Sequence, residues 1–183
     1  MLDPTNPIFR RWTLFAHSYL LYTKRVERAL GDWDLSLPQY LTLFFLRGAT
    51  GMVTPSLLAS YLAKEAQSVV SLLQRMEARG FLWRKPHPED GRSIVIQISN
   101  TGRRVLDECN DIVFQEVTNF FSPLHESSLA DFEGMLRVLR DNTAEDLGMD
   151  VEKLDHATGR VERDPEMWTR AYEIREAGAV SRA

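Results

Sequence analysis

One segment of the chain combines helical periodicity with hydrogen-bonding side chains on a single face. Apolar residues recur at helical spacing from about 66 to 79, and they are Val69, Leu72, Leu73 and Met76. A glutamine amide can form a bidentate pair with an adenine edge, and an arginine can neutralise a phosphate. The face opposite the apolar stripe could therefore read a nucleic acid, or it could be an ordinary solvated face; its residues are Gln67, Ser68, Ser71, Gln74 and Arg75.

A charged turn follows this segment and adds two further candidate DNA contacts. Residues 81–85 and 93–98 are rich in β-formers and bracket a Pro/Asp/Gly turn, which predicts a β-hairpin. Lys85 and Arg92 lie at the end of this hairpin, where a side chain has little to bury. We therefore expect both cations to contact DNA, whereas His87 is interpreted as a plain loop residue.

A shorter helix precedes the polar segment. Thr54-Pro55 places an N-cap before a proline at the first helical position, which predicts a helix over 55–62. Thr54 and Ser56 at its start are further candidate DNA contacts. The order is therefore a short helix, a tight turn at Lys64-Glu65, a second helix and a basic hairpin. This order is typical of a winged helix-turn-helix, which fits one helix in the major groove and the hairpin near the minor groove.

Longer helices are predicted on both sides of this unit. The periodicity predicts helices over 8–30, 37–47, 101–121 and 128–146. We expect Gly31 to end the first, Ser36 and Gln39 to form a capping box for the second, and Ser127 or Ser128 to cap the last. Asp164-Pro165 predicts one more short helix, which would carry Trp168 and Tyr172 on one face.

Charge is divided along the chain in a way that suits this organisation. The net charge is −4, but residues 50–104 carry eight Lys/Arg against four Asp/Glu. Residues 105–140 and 141–183 each have a net charge of −5. Positive charge on the predicted DNA-reading unit can displace phosphate counterions, and the acidic remainder should face away from DNA.

The order of elements and several motifs resemble the MarR (multiple antibiotic resistance regulator) family of bacterial transcription factors. The resemblance covers roughly residues 8–146. Its most specific part is Pro88-Glu89-Asp90-x-Arg92-Ser93, followed by alternating apolar residues and by Ser99-Asn100-Thr101-Gly102-Arg103. The motifs Leu37-Pro38-Gln39-Tyr40 and Arg75-Met76-Glu77-x-x-Gly80 also match. His87 and Gly91 depart from the family wing, and Ala66 and Ser71 stand where arginine is common.

The resemblance implies a homodimeric regulator, most simply a repressor that binds a pseudo-palindromic operator and is released by a small aromatic or anionic effector. It implies an N-terminal dimerisation helix over 1–35, a winged helix-turn-helix domain over 36–100 and C-terminal dimerisation helices over 101–146, with an acidic extension over 147–183. It also implies that Asp90 braces the wing, with Arg75 as candidate partner. The residues expected to line an effector pocket are Trp12, Phe15, Tyr19, Tyr40, Phe44 and Arg47.

Other classes of function find less support in the sequence. We find no phosphate-binding glycine loop, metalloprotease motif or catalytic triad, so the chain is not expected to be an enzyme or to need a cofactor. The four histidines are scattered, and no metal site or membrane span is expected. The chain is expected to be cytoplasmic. Two alternatives stay open: a protein-binding winged-helix adaptor, and a thiol-based redox regulator using Cys109, the single cysteine.

Overall fold

Six α-helices and one β-hairpin make up the part of the chain that the structure describes. The computed structural model describes residues 6–49, 51–89 and 93–150. The mainly α fold class with a small hairpin is confirmed, and the predicted helix around Trp168 lies outside the described residues. The elements are α1 (Pro7–Ala29), α2 (Leu37–Gly48), α3 (Pro55–Leu62), α4 (Ala66–Ala78), β1 (Leu82–Pro86), β2 (Ile94–Ile98), α5 (Asn100–Phe121) and α6 (Glu126–Asp146).

Side-chain caps start the central helices where the sequence predicts them. The Thr54 hydroxyl accepts a hydrogen bond at 3.3 Å from the backbone N–H three residues later, at the beginning of α3. At α2, the Ser36 N–H donates to Gln39 Oε1 at 2.9 Å, as the capping box requires. Gly80 closes α4 with a φ of +70°, a conformation that glycine adopts without strain.

Two predicted helix ends are wrong. Leu30 is the C-cap of α1, and Gly31 begins a 3-10 turn, Gly31–Trp33, instead of capping the helix. The left-handed residue in this connection is Asp34. His125 is the N-cap of α6 in place of Ser127 or Ser128, because its Nδ1 accepts a hydrogen bond from the Ser127 N–H at 3.4 Å. An imidazole nitrogen thus serves as the acceptor that a serine hydroxyl would otherwise supply.

The two strands pair antiparallel from Leu82↔Ile98 to Pro86↔Ile94. The outer edge of β2 is also paired, because the Ile96 N–H donates to the Val53 carbonyl at 2.8 Å. The connector between α2 and α3 therefore pairs with β2 through a single β-bridge, between Val53 and Ile96. Local sequence patterns do not predict this contact.

The core of the reading head, which is our name for residues 36–100, is formed around α2. Leu43 and Phe45 of α2 are fully buried, as are Val69 and Met76 of α4, and Ile96 of β2 is 2% exposed. The helix that contains the polar stripe is thus held by its apolar face against α2, α3 and the hairpin. Its opposite face is left at the surface.

The start of α5 is locked onto the end of the helix-turn-helix. The Ser99 N–H donates to the Phe81 carbonyl at 3.0 Å, and the Ser99 hydroxyl donates to the Gly80 carbonyl at 2.5 Å. Gly102 lies so close that a Cβ there would be 2.1 Å from the Phe81 oxygen. The direction in which α5 leaves the reading head is therefore fixed by backbone contacts.

The outer helices leave much apolar surface uncovered in the single chain. α1 packs along α5, where the Tyr22 and Phe120 rings lie 4.8 Å apart and Arg25 forms an ion pair with Glu116. α6 contacts α5 through Phe132, whose ring centre is 6.2 Å from that of Phe121. Among the described residues, no helix is long and apolar enough to cross a membrane. The apolar side chains of α1 and α6 that remain more than half exposed are Ile8, Trp12, Leu14, Phe15, Tyr19, Leu20, Leu21, Met135, Val138 and Leu139.

Candidate nucleic-acid interface

The polar stripe of α4 is a continuous exposed surface. The predicted apolar residues of α4 are all buried, at 4% exposure or less. The predicted polar residues are all exposed on the other side, and we call them the reading face: Gln67, Ser68, Ser71, Gln74 and Arg75. The Ser71 hydroxyl donates to the Gln67 carbonyl at 3.1 Å within the helix, which leaves its oxygen able to accept a further hydrogen bond.

A cleft of about 380 Å³ lies between the N-terminus of α2 and the reading face. Four of the five reading-face residues border it, and Lys64 contributes a second cation beside Arg75. A cleft bordered by two cations and by serine and glutamine side chains can hold anionic oxygens. Its full lining is Ser36, Pro38, Lys64, Gln67, Ser68, Ser71, Leu72 and Arg75.

Three residues of this surface are not among the predicted DNA contacts: Lys64, Ser36 and Pro38. Lys64 belongs to the predicted turn before α4, but its position four residues before Ser68 aligns it with the same helical stripe. The sequence pattern indicates only that Ser36 and Pro38 start α2. Their position near α4 depends on the packing of two separate helices, which the local pattern does not show.

Thr54 and Ser56 lie at the N-terminus of α3. The Thr54 side chain is partly buried and serves as the α3 cap, whereas Ser56 is exposed. Helix N-termini present backbone N–H groups to which phosphate oxygens can bind. DNA contact by both residues thus stays a prediction. Thr54 would contribute by capping the helix N-terminus whose N–H groups face the phosphate.

The described part of the wing presents a cation on an aromatic platform. Lys85 is exposed, and its Nζ lies 4.0 Å from the centre of the Trp83 ring, two residues earlier on β1. This cation–π contact restricts where the ammonium group can point. Asp90 and Arg92 lie outside the described residues, so the brace from Asp90 to Arg75 and the minor-groove contact of Arg92 stay predictions.

The residues predicted to line an effector pocket occupy two different environments. Trp12, Phe15 and Tyr19 are 55–59% exposed on α1. Tyr40 and Phe44 are buried in α2 with their rings stacked at 5.9 Å. The aromatic side chains of α1 therefore lie at the surface, and those of α2 belong to the core of the single chain.

Two polar contacts tie α2 to α5. The Tyr40 hydroxyl donates to Asn110 Oδ1 at 2.8 Å, and Arg47 Nη1 is 2.5 Å from Asp107 Oδ1. Burial raises the pKa of Tyr40 far above its ordinary value, so this phenol stays a hydrogen-bond donor. An anion bound at Arg47 would have to compete with Asp107.

Cys109 is buried in the core between α5 and α2. Its thiol is 0% exposed and donates to the Leu106 carbonyl at 3.5 Å. Burial raises the pKa of the thiol to about 12, so almost no thiolate exists at neutral pH. These properties argue against the redox alternative and favour a packing role. Across residues 6–49, 51–89 and 93–150, no group of three His, Cys, Asp or Glu side chains could hold a metal ion.

Comparison with known proteins gives the family to which this geometry belongs. A family model described as MarR family matches residues 33–93, from the turn before α2 to the end of the wing turn. The chain is 30% identical over 127 residues to the uncharacterized HTH-type transcriptional regulator YfiV of Bacillus subtilis, a match that spans 64% of this chain and 78% of that protein. The chain belongs to the MarR family.

Two further similarities agree with this membership. The MarR-family chain is 25% identical over 146 residues to the HTH-type transcriptional repressor IacR of Pseudomonas putida, covering 76% of this chain and 86% of that protein. A cysteine-to-serine mutant of MarR from Escherichia coli, solved in complex with operator DNA, has the same fold with a TM-score of 0.68 at 22% identity. That match covers 75% of this chain and 99% of the other. The names of IacR and YfiV describe both of them as transcriptional regulators.

Proposed function

We propose that this MarR-family chain is a sequence-specific DNA-binding repressor that acts as a homodimer on a pseudo-palindromic operator. The observation that carries the proposal is the reading face of α4, an exposed polar surface held rigidly by a buried apolar stripe and flanked by a wing. The helices of such folds enter the major groove with side chains reaching the base edges. Gln67 is the candidate for pairing with adenine, while Lys64, Arg75 and Lys85 are candidates for phosphate contact.

The homodimer is supported by the surface of α6. This helix of 21 residues exposes Met135, Val138 and Leu139, which are 56–70% exposed. A helix that packs so little of its apolar face gains little from tertiary burial, which is the main source of helix stability in proteins. A second copy of the chain would cover α6 and the exposed side of α1. We therefore assign residues 1–35 and 101–146 to the proposed dimer region and residues 36–100 to the proposed DNA-binding domain.

Release by a small aromatic or anionic molecule is the second part of the proposal. The Tyr40–Asn110 and Arg47–Asp107 contacts join the reading head to α5, which belongs to the proposed dimer region. A ligand that binds between these parts and prefers one head spacing would shift the population toward or away from the DNA-binding state. Its effect cannot exceed the difference between its affinities for the two states.

Selection of duplexes from a random pool, using the intact chain, tests the proposed DNA binding. We expect enrichment of a pseudo-palindrome whose half-sites are about one helical turn apart, because two reading heads related by a two-fold axis must both enter the major groove. Enrichment of no motif would contradict the proposal and favour the alternative, an adaptor whose winged helix binds protein.

A variant of the reading face refines the same experiment. Gln67→Ala should relax the preference at one position of each half-site, by about 1–3 kcal/mol, because a bidentate pair with one base is lost. The selected motif of Ser60→Ala, a change on the neighbouring helix α3, serves as the control. A uniform loss of affinity over all sequences would reassign Gln67 to backbone contact.

A further inference from the structure

Glu77 occupies a position that its helix alone disfavours. It is the second-last residue of α4, where unpaired carbonyls give the helix end a partial negative charge. Arg84 of β1 compensates for this. Glu77 Oε1 accepts from the backbone N–H of Arg84 at 3.2 Å, and Oε2 accepts from its Nε at 2.8 Å and also from its Nη2. These bonds lower the pKa of Glu77, so the carboxylate is charged at neutral pH.

The strand register shows why this pair holds the wing. The Ser99 N–H donates to the Phe81 carbonyl and the His87 N–H donates to the Ser93 carbonyl, so odd-numbered residues form the hydrogen-bonded pairs of the ladder. Even-numbered residues then point their N–H groups away from the opposite strand. Arg84 and Ile96 face each other in this way.

Both outward N–H groups are satisfied, but by different partners. The Ile96 N–H donates to the backbone carbonyl of Val53, and the Arg84 N–H donates to the Glu77 side chain. The hairpin is thus fixed on both edges at one level. One anchor is backbone and cannot be altered by substitution, whereas the other is a single carboxylate of the reading helix.

We propose that Glu77 is a positioning residue that sets the angle between the wing and the reading helix, so that both meet DNA together. This inference rests on the proposed function. Without the carboxylate, β1 keeps its pairing with β2 and the hairpin keeps its attachment to Val53, but the edge next to α4 is released. The wing then samples orientations in which Lys85 is displaced from the phosphates.

Three variants of the full-length protein test the inference. Glu77→Ala removes every contact to Arg84, and Glu77→Gln keeps an acceptor for the Arg84 N–H but loses the charge. Glu133→Ala is the matched control, since Glu133 of α6 pairs with Arg137 through two similar hydrogen bonds at 3.0 and 2.7 Å, on a helix outside the reading head. Each protein is examined by amide hydrogen exchange without DNA, and by titration with a duplex of its own upstream region at several salt concentrations.

We expect faster exchange of the Arg84 amide in Glu77→Ala, while the Ile96 amide stays protected by Val53. DNA affinity should fall about tenfold, the size of one lost contact, and the salt slope should become about one unit shallower. Glu77→Gln should fall between the wild type and Glu77→Ala, and Glu133→Ala should match the wild type. A purely structural role would lower the melting temperature and leave the salt slope unchanged.

The outcomes separate this inference from the proposed function. Unchanged exchange at Arg84 in Glu77→Ala, or faster exchange with unchanged DNA affinity and slope, would overturn the positioning role. If the wild-type protein itself shows no preference for any duplex, the proposed function fails. Faster exchange at Arg84 would in that case still establish the joint between α4 and β1, but the role in DNA binding would be refuted together with the function.

Discussion

Gly102 brings α5 into close contact with the reading head. A Cβ at this position would lie 2.1 Å from the backbone oxygen of Phe81 and 3.0 Å from a side-chain carbon of Ile98. Because the nearest atom belongs to the backbone, relief requires movement of α5 or of the turn before β1. The serine and glycine at the start of α5 therefore form one joint between the helix and the turn.

We expect Gly102→Ala to lower the free energy of unfolding by about 1–3 kcal/mol, the usual cost of overpacking. Denaturant unfolding at fixed protein concentration measures this change. Gly31→Ala is the control, since a Cβ at Gly31 meets nothing within 4 Å and its φ lies outside the left-handed region. Equal stability of Gly102→Ala and the wild type would show that α5 does not pack on Phe81 as described.

The buried thiol of Cys109 gives a prediction about reactivity. A thiol with a pKa of about 12 and no exposed surface should react with iodoacetamide at pH 8 only after unfolding, because the thiolate is the nucleophile. Mass spectrometry of native and denatured samples measures the labelling. Rapid labelling of the native protein, or loss of DNA affinity after mild peroxide treatment, would restore the redox alternative.

At the level of elements, local signals were sufficient for most helices and for the hairpin. Ser36 and Thr54 mark helix starts because a cap needs only residues within one turn. Two helix boundaries differ from the prediction. A tighter 3-10 turn follows α1 at Gly31, and His125 offers a second acceptor at the start of α6. Contacts between elements that are distant in the sequence cannot be predicted in this way. A glutamate near a helix end, such as Glu77, has the same sequence pattern whether it is solvated or paired with a strand.

The reading face shows the same division. Its exposed residues follow from helical periodicity, since the apolar stripe determines which side faces solvent. The position of the cleft beside it does not follow from periodicity, because Ser36, the N-cap of α2, borders the cleft only through tertiary packing. The aromatic residues of α1 and α2 are predicted to line one pocket because of their type. The exposure of those on α1, however, depends on whether a partner chain covers that helix.

A charge on the apolar face of α6 should prevent dimerisation. Val138 is 70% exposed in the single chain, and Val138→Asp would place an unpaired charge in the proposed interface. Sedimentation equilibrium should show a shift toward monomer. Arg137→Gln lowers the net charge by the same amount on the polar side of the helix and should stay dimeric. A Val138→Asp protein with unchanged dimer affinity would place the interface elsewhere.

For the whole molecule, the distribution of charge agrees with the arrangement of the elements. Residues 50–104 carry a net charge of +4 and contain the reading face and the wing, whereas residues 105–140 carry −5 and form most of α5 and α6. DNA should therefore attract one side of the proposed dimer and repel the other, which favours a single docking orientation. The acidic extension over 147–183 is predicted to avoid DNA for the same reason.

The central claim is that the reading face and the wing bind DNA through phosphates and base edges together. Its most direct test is the affinity of the intact protein for a duplex of its own upstream region, measured against salt concentration and compared with an unrelated duplex. We predict tighter binding to the upstream duplex at every salt concentration and a linear fall of the logarithm of affinity with the logarithm of salt. Arg92→Ala should make the slope about one unit shallower and weaken both complexes by about 1–3 kcal/mol. Equal affinity for the two duplexes, or binding that does not respond to salt, would contradict the claim.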